Sequence, residues 1–213
     1  MKKKISKYFG KSIERIKNSI LALKYNKGLI LLDHKKRENE GDLIFSSQNI
    51  NKKQIAFSIR NGSGIVCLCI TEKLRKKLKL PMMVKKNTSS YNTAFTVTIE
   101  AAKGVSTGVS AQDRLKTIKT AISKHTKPNE INRPGHIFPV RAHKGGILKR
   151  AGHTEAGIEI VKLASLQPTC VICEITNKNG SMAKSYEINK FSQKNNMYVL
   201  KIKDIINYII INK

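Results

Sequence analysis

Three short apolar runs constrain this chain more than any other feature. They are Leu29-Ile30-Leu31-Leu32, Ile65-Val66-Cys67-Leu68-Cys69-Ile70 and Cys170-Val171-Ile172-Cys173, the last continuing into Glu174-Ile175. Runs this short, rich in aliphatic and β-branched residues and bounded by polar or glycine-containing segments, read as strands covered on both faces. Between them the pattern shifts to a helical period. Ile13, Ile16, Ile20 and Leu23 share one face of a predicted helix over 11–26, ended by Gly28. Further helices are predicted at 52–60, 74–80, 110–125, 155–165 and 187–195 and at the C-terminal end. Further strands are predicted at 42–46, 95–99, 137–141 and 197–202. Strands alternating with amphipathic helices predict an α/β class: a mixed sheet with helices around it, in one domain over residues 1–213.

The chain is strongly basic, with 33 Lys and 8 Arg against 14 acids, a formal net charge of +27. That charge invites a nucleic-acid reading. The distribution argues against it. The lysines are scattered, Trp is absent, and Tyr and Phe are not interleaved with Arg as a stacking platform needs. A proteome drifting toward A/T-rich codons produces such a Lys-rich, Arg-poor chain without a selected partner, so no dedicated nucleic-acid partner is expected. No window has the roughly 18 apolar residues of a membrane span. Met1-Lys2-Lys3-Lys4 resembles the start of a secretory signal, but no apolar stretch follows before Gly10 and Lys11. A soluble, cytoplasmic protein is expected. Cys67, Cys69, Cys170 and Cys173 have spacings compatible with a four-thiolate zinc site, but their β-branched surroundings read better as buried strands carrying small thiols.

In so acid-poor a chain, the placement of the acids is informative. Glu38, Glu40 and Asp42 fall in Arg37-Glu38-Asn39-Glu40-Gly41-Asp42. In extended backbone these three carboxylates point the same way, and such an arrangement calls for a cation or raised pKa values. Hard oxygen ligands favour Mg²⁺ or Mn²⁺; a solvated acidic loop is the alternative. In Arg150-Ala151-Gly152-His153-Thr154-Glu155, Thr154 can cap the following helix, and the free N–H groups there, with Arg150, make an anion site. Arg133-Pro134-Gly135-His136 reads as a tight turn carrying a second His. Glu174 is a lone carboxylate in an apolar strand, where burial would demand a partner. The polar Lys85–Asn92 segment reads equally as a lid or as an ordinary mobile loop. Together these features suggest a metal-assisted reaction on a small phosphorylated substrate.

The same residues carry a family resemblance. Arg37-Glu38-Asn39-Glu40-Gly41-Asp42, Gly62-Ser63-Gly64-Ile65-Val66-Cys67, Thr107-Gly108-Val109-Ser110-Ala111-Gln112-Asp113-Arg114, Asn132-Arg133-Pro134-Gly135-His136 and Gly152-His153-Thr154-Glu155-Ala156 resemble the signatures of 3,4-dihydroxy-2-butanone 4-phosphate synthase, of riboflavin biosynthesis. The resemblance runs from Phe9-Gly10 to the C-terminal helix and is to the monofunctional form. It implies conversion of ribulose 5-phosphate to the four-carbon butanone phosphate and formate. It also implies a divalent cation, Mg²⁺ or Mn²⁺, and a homodimer with active sites near the subunit interface. By the same resemblance Glu38 and His153 are metal ligands. Arg37, Glu38, Asp42, Arg150, Ala151, Gly152, His153, Thr154 and Glu174 bind substrate, the phosphate lying on the 150–154 loop. His136 and Glu174 are essential for the chemistry. Two departures stand out: His34-Lys35-Lys36 and Lys144 occupy positions that are often acidic in the family. They either weaken metal binding by repulsion or face solvent.

Overall fold

A computed structural model describes residues 11–212. The expected class is observed: one mixed sheet of seven strands with helices on both faces. In chain order the elements are α1 (Ser12–Lys24), β1 (Leu29–Leu32), β2 (Gly41–Ser46), α2 (Lys52–Asn61), β3 (Cys67–Ile70), α3 (Glu72–Lys77), β4 (Ile99–Ala101), α4 (Ala111–Ile122), β5 (Ile131–Arg141), α5 (His153–Leu163), β6 (Cys170–Glu174), α6 (Ser185–Asn195), β7 (Val199–Lys201) and α7 (Ile202–Ile211). The sheet order is β4-β5-β3-β6-β2-β1-β7. The β1–β7 and β3–β5 pairs are parallel, and the other four are antiparallel.

The apolar runs become the centre of this sheet because every residue of β1 and β3 is buried. Side chains alternate across a strand. Ile30, Leu32, Leu68 and Val171 therefore pack with Ile55 of α2, Ile118 of α4 and Ile188 of α6. Leu29, Leu31, Cys67, Cys69 and Ile172 pack on the opposite face with Ile16 of α1, Ile160 of α5 and Ile205 of α7. The four cysteines are buried free thiols, three of them in that second layer. Among the described residues, no helix is long and apolar enough to cross a membrane.

Several predicted boundaries move. The 95–99 strand is displaced: Phe95 and Thr96 make only isolated bridges, and β4 begins at Ile99. β5 is longer than predicted and takes in Arg133-Pro134-Gly135-His136, which had read as a turn. Ile99 pairs with Ile137 while Glu100 pairs with Asn132, so these four residues form a wide bulge within the strand. Proline is tolerated there because a bulge has left the ladder. Thr154 is not a cap: α5 starts at His153 with Gly152 as its N-cap, and Thr154 lies in the first turn. The strand at 197–202 shortens to Val199–Lys201 because α7 begins at once, its first turn held by Asp204.

Asp204 also ties the two terminal helices together. Its carboxylate accepts from Arg15 Nε and Nη2, both at 2.7 Å, and from Ser12 Oγ at 2.8 Å. Burial disfavours the charged form, yet Arg15, Ser12 and the Lys201 amide outweigh it and hold the carboxyl below its usual range. A depressed folded pKa gives stability that is present above the unfolded value and lost as pH falls through the folded one. Asp204→Asn should therefore cost about 3 kcal/mol at pH 7, by leaving Arg15 without its buried counter-charge. Thermal melts of both proteins should show this gap narrowing from pH 7 to pH 3; a pH-independent gap would remove the ion pair as its cause.

Candidate active site

The loop between β1 and β2, the N-terminus of α5 and the end of β6 meet at one end of the sheet. Arg37, Glu38, Glu40, Asp42, Arg150, His153, Thr154 and Glu174 line a single cavity there of about 210 Å³. The register of β2 against β6 sets its floor by placing Asp42 directly opposite Glu174. The acids do converge, but not through simple alternation along an extended segment. Residues 35–38 form turns and Asn39 has a φ of 54°, so Glu38 is folded back while Asp42 is fixed by its strand.

His153 occupies the centre. Its Nδ1 lies 3.3 Å from Glu38 Oε2, and its Nε2 lies 3.7 Å from Asp42 Oδ1. The second distance is too long for a hydrogen bond. Both His153 Nε2 and Asp42 Oδ1 are buried without a hydrogen-bond partner. Burial disfavours the imidazolium, but Asp42, Glu38 and Asp33 outweigh it and raise the His153 pKa to about 9. The Asp42 carboxyl is raised to about 7, mainly by burial; His153 opposes this, and Glu174, Glu38 and Glu40 add to it. Burial likewise raises Glu38, yet His153 and Arg37 more than cancel this and hold it low. Glu40 is raised by burial and by Glu38 and Glu174, against the pull of Lys184. This is the electrostatics of a cation site: several carboxylates compete for too little positive charge.

Asp33 was missed as a site residue by sequence reading. Ligand atoms of Asp33, Glu38 and His153 all lie within 4.8 Å of one another. Asp33 is already committed, however. Oδ2 accepts from Arg37 Nη1 at 2.6 Å and from the Glu38 amide at 3.3 Å, and Oδ1 accepts from the His34 amide at 2.6 Å. It holds the loop through three hydrogen bonds; Glu38, which also pairs with Arg37 Nη1 at 2.8 Å, and His153 are the other two members of the cluster that could hold a metal. The orphaned Nε2 and Oδ1 fit such a group, since Mg²⁺-like ions use few protein ligands and keep waters. The signal for Asp33 was its place directly after a buried strand, four residues before Arg37.

Glu155, also missed, is buried and positions Arg150. Its Oε2 accepts from Arg150 Nη1 at 2.6 Å, and its Oε1 accepts from the His143 amide at 2.8 Å. Arg150 also donates from Nε and Nη2 to the Tyr91 carbonyl, at 3.3 and 3.1 Å. Tyr91 Oη donates to the Arg37 carbonyl at 2.9 Å, and the Arg37 guanidinium lies 4.8 Å from the Tyr91 ring centroid. The polar 85–92 segment thus rests on the cavity through Tyr91. Gly152 caps α5, whereas Ala151 is exposed and borders a neighbouring hollow. Glu174 is half-buried, not fully buried as its apolar run suggested, because it ends β6; its Oε2 accepts from Ser63 Oγ at 2.7 Å. His34, Lys35, Lys36 and Lys144 all face solvent.

His136 does not join this group. It sits on β5, and β3 separates that strand from the β6 strand of Glu174, a gap of roughly 10 Å at ordinary strand spacing. Its side chain is 43% exposed, with Nδ1 2.6 Å from Glu100 Oε2.

Comparison with known proteins places the chain in a family. The family profile of 3,4-dihydroxy-2-butanone 4-phosphate synthase matches residues 17–208. A 3,4-dihydroxy-2-butanone 4-phosphate synthase of Buchnera aphidicola subsp. Acyrthosiphon pisum (strain Tuc7) is 67% identical over 201 residues, 94% of each chain. A two-domain synthase of that name from A. baumannii superposes with a TM-score of 0.89 at 39% identity; the match covers 93% of this chain and 59% of that longer one. A synthase solved in complex with two magnesium ions superposes with a TM-score of 0.87 at 35% identity, over 91% of this chain and 95% of the other. On the extent of the profile match and the identity to these relatives, the chain belongs to the 3,4-dihydroxy-2-butanone 4-phosphate synthase family.

Proposed function

We propose that this chain, as one synthase domain, converts D-ribulose 5-phosphate to L-3,4-dihydroxy-2-butanone 4-phosphate and formate in cytoplasmic riboflavin biosynthesis. Mg²⁺ or Mn²⁺ is the cofactor and a homodimer the working form. The observation that carries this reading is the unpartnered His153 Nε2 among crowded carboxylates, in the first turn of α5 and in one cavity with Arg150. The two products together contain every atom of the substrate. Water lost in one step must therefore be regained in another, and the site needs groups that both give and take protons. When bound, the divalent cation would polarise the substrate carbonyl and hold its neighbouring oxygens.

The chain's own residues have distinct tasks in this reading. Arg150, braced by Glu155, and the free N–H groups of the first α5 turn take the phosphate. Arg37 and Thr154 complete the substrate's polar contacts. Asp42, titrating near neutrality, can hold a proton at Oδ1 and release it. Glu174, oriented by Ser63, moves a proton at its carboxylate. His136 serves the reaction from outside the cavity, which favours a site completed at a subunit contact. The exposed apolar side chains Ile65 and Val109 support such a contact: Arg114 joins their segments by donating to the Gly64 and Val109 carbonyls.

Wild-type protein should release formate from ribulose 5-phosphate, and chelator should abolish this; Glu174→Gln should lose on the order of 100- to 10,000-fold in kcat, and Arg150→Ala should raise KM. No formate with added Mg²⁺ would sink the function, near-normal kcat the role of Glu174, and unchanged KM that of Arg150. In a Mn²⁺ titration, Glu38→Ala and His153→Ala should bind much more weakly. Wild-type affinity should climb from pH 6 toward pH 9, since the His153 proton competes with the cation. Wild-type affinity in both variants would remove these ligands. Sedimentation should show a dimer, and dilution that dissociates it should abolish turnover; a fully active monomer would refute the dimer.

A further inference from the structure

The Thr107–Arg114 signature supplies no residue to the cavity lining, yet it packs against one carboxylate, Glu100. Glu100 is nearly buried, its side chain 12% exposed. Thr117 Oγ1, on α4, accepts from the Ala101 amide at 3.0 Å and donates to Glu100 Oε1 at 3.0 Å. The hydroxyl proton is thereby committed to the carboxylate. Gly108 closes the other side with a φ of +82°; a Cβ there would lie 1.8 Å from Glu100 Oε2, so no larger residue fits. Asp113 fixes that loop, accepting from Ser106 Oγ at 2.8 Å and from the Gly108 amide at 3.3 Å. Across the sheet, a Cβ on Gly135 would meet the Ile99 carbonyl carbon at 2.1 Å. Glycine there lets the β5 bulge press onto β4 and brings His136 Nδ1 to 2.6 Å from Glu100 Oε2.

We infer that Glu100 is the positioning residue of His136, fixing the ring and its tautomer so that Nε2 is left as the proton acceptor. An ionised carboxylate only accepts hydrogen bonds, so His136 Nδ1 must be the donor. In the neutral ring Nε2 is then unprotonated, on a side chain that is 43% exposed. The inference rests on the reading that His136 acts in the reaction. It assigns the 107–114 signature the task of building the holder for Glu100.

The test uses formate release by the metal-loaded enzyme with four variants: His136→Asn, Glu100→Gln, Glu100→Asp and the double variant His136→Asn/Glu100→Gln. Glu100→Gln should lower kcat on the order of 100- to 10,000-fold, because an amide no longer dictates the tautomer. KM and Mn²⁺ affinity should stay at wild-type values. Glu100→Asp should recover part of the lost kcat. The double variant should be no slower than His136→Asn alone, as expected when one residue acts through the other. A normal kcat for Glu100→Gln beside an inactive His136→Asn would overturn the positioning role alone. A normal kcat for both would overturn the reading of His136 as well. Additive losses in the double variant would make Glu100 merely structural. Should the Glu100 variants fail to fold, ¹⁵N-histidine spectra of wild-type protein decide the matter: His136 should be the Nδ1–H tautomer, and an Nε2–H ring would overturn the inference.

Discussion

Asp42 and Glu174 face each other across the β2–β6 pair, a placement that opposes folding because like charges on opposed strands repel. Much of the site answers that repulsion. His153 is inserted from α5 beside Asp42, Ser63 donates to Glu174, and Arg37 is drawn between Asp33 and Glu38. These groups reduce the excess negative charge without removing it, as the raised Asp42 and Glu40 carboxyls record. The site therefore keeps negative charge that a cation could neutralise, and the scaffold carries that imbalance as a standing cost.

The scaffold tolerates this cost because the sheet beneath is covered on both sides. Leu31 and Leu43, beside Asp42 in sequence or pairing, are fully buried in opposite layers. The two layers hold the backbone of β2 in place, so its position does not depend on the comfort of its polar end. At the far edge the same division holds. β4 is short and irregular, but the Asp113 and Thr117 contacts of α4 keep Glu100 in place where the ladder breaks.

The residues of the site were more legible in sequence than the shapes that carry them. Glu38, Asp42, Arg150, His153, Thr154 and Glu174 were readable because acids are scarce and because both loops bear glycines beside charged residues. Strand interiors were readable because apolar runs bounded by turn residues have few other uses. What failed was local geometry set by distant contacts. Thr154 has the side chain of a cap, but Gly152 takes that place, so the helix begins earlier. Arg133-Pro134-Gly135-His136 has the composition of a turn, yet pairing with β4 on either side makes it a bulge. Asp33, Glu155 and Glu100 escaped notice because each acts through another side chain, and a supporting carboxylate leaves no spacing pattern.

The β2–β6 register carries one further consequence, for how the chain can vary over generations. Side-chain direction reverses at every step along a strand, so losing or gaining one residue within either strand would turn Asp42 or Glu174 away from its counterpart. Exchanges among Ile, Leu and Val in those strands change volume little and leave direction untouched. Aliphatic letters of this sheet can therefore be exchanged where strand lengths cannot, and the Asp42–Glu174 end of the molecule is inherited as a count of residues as much as a choice of them.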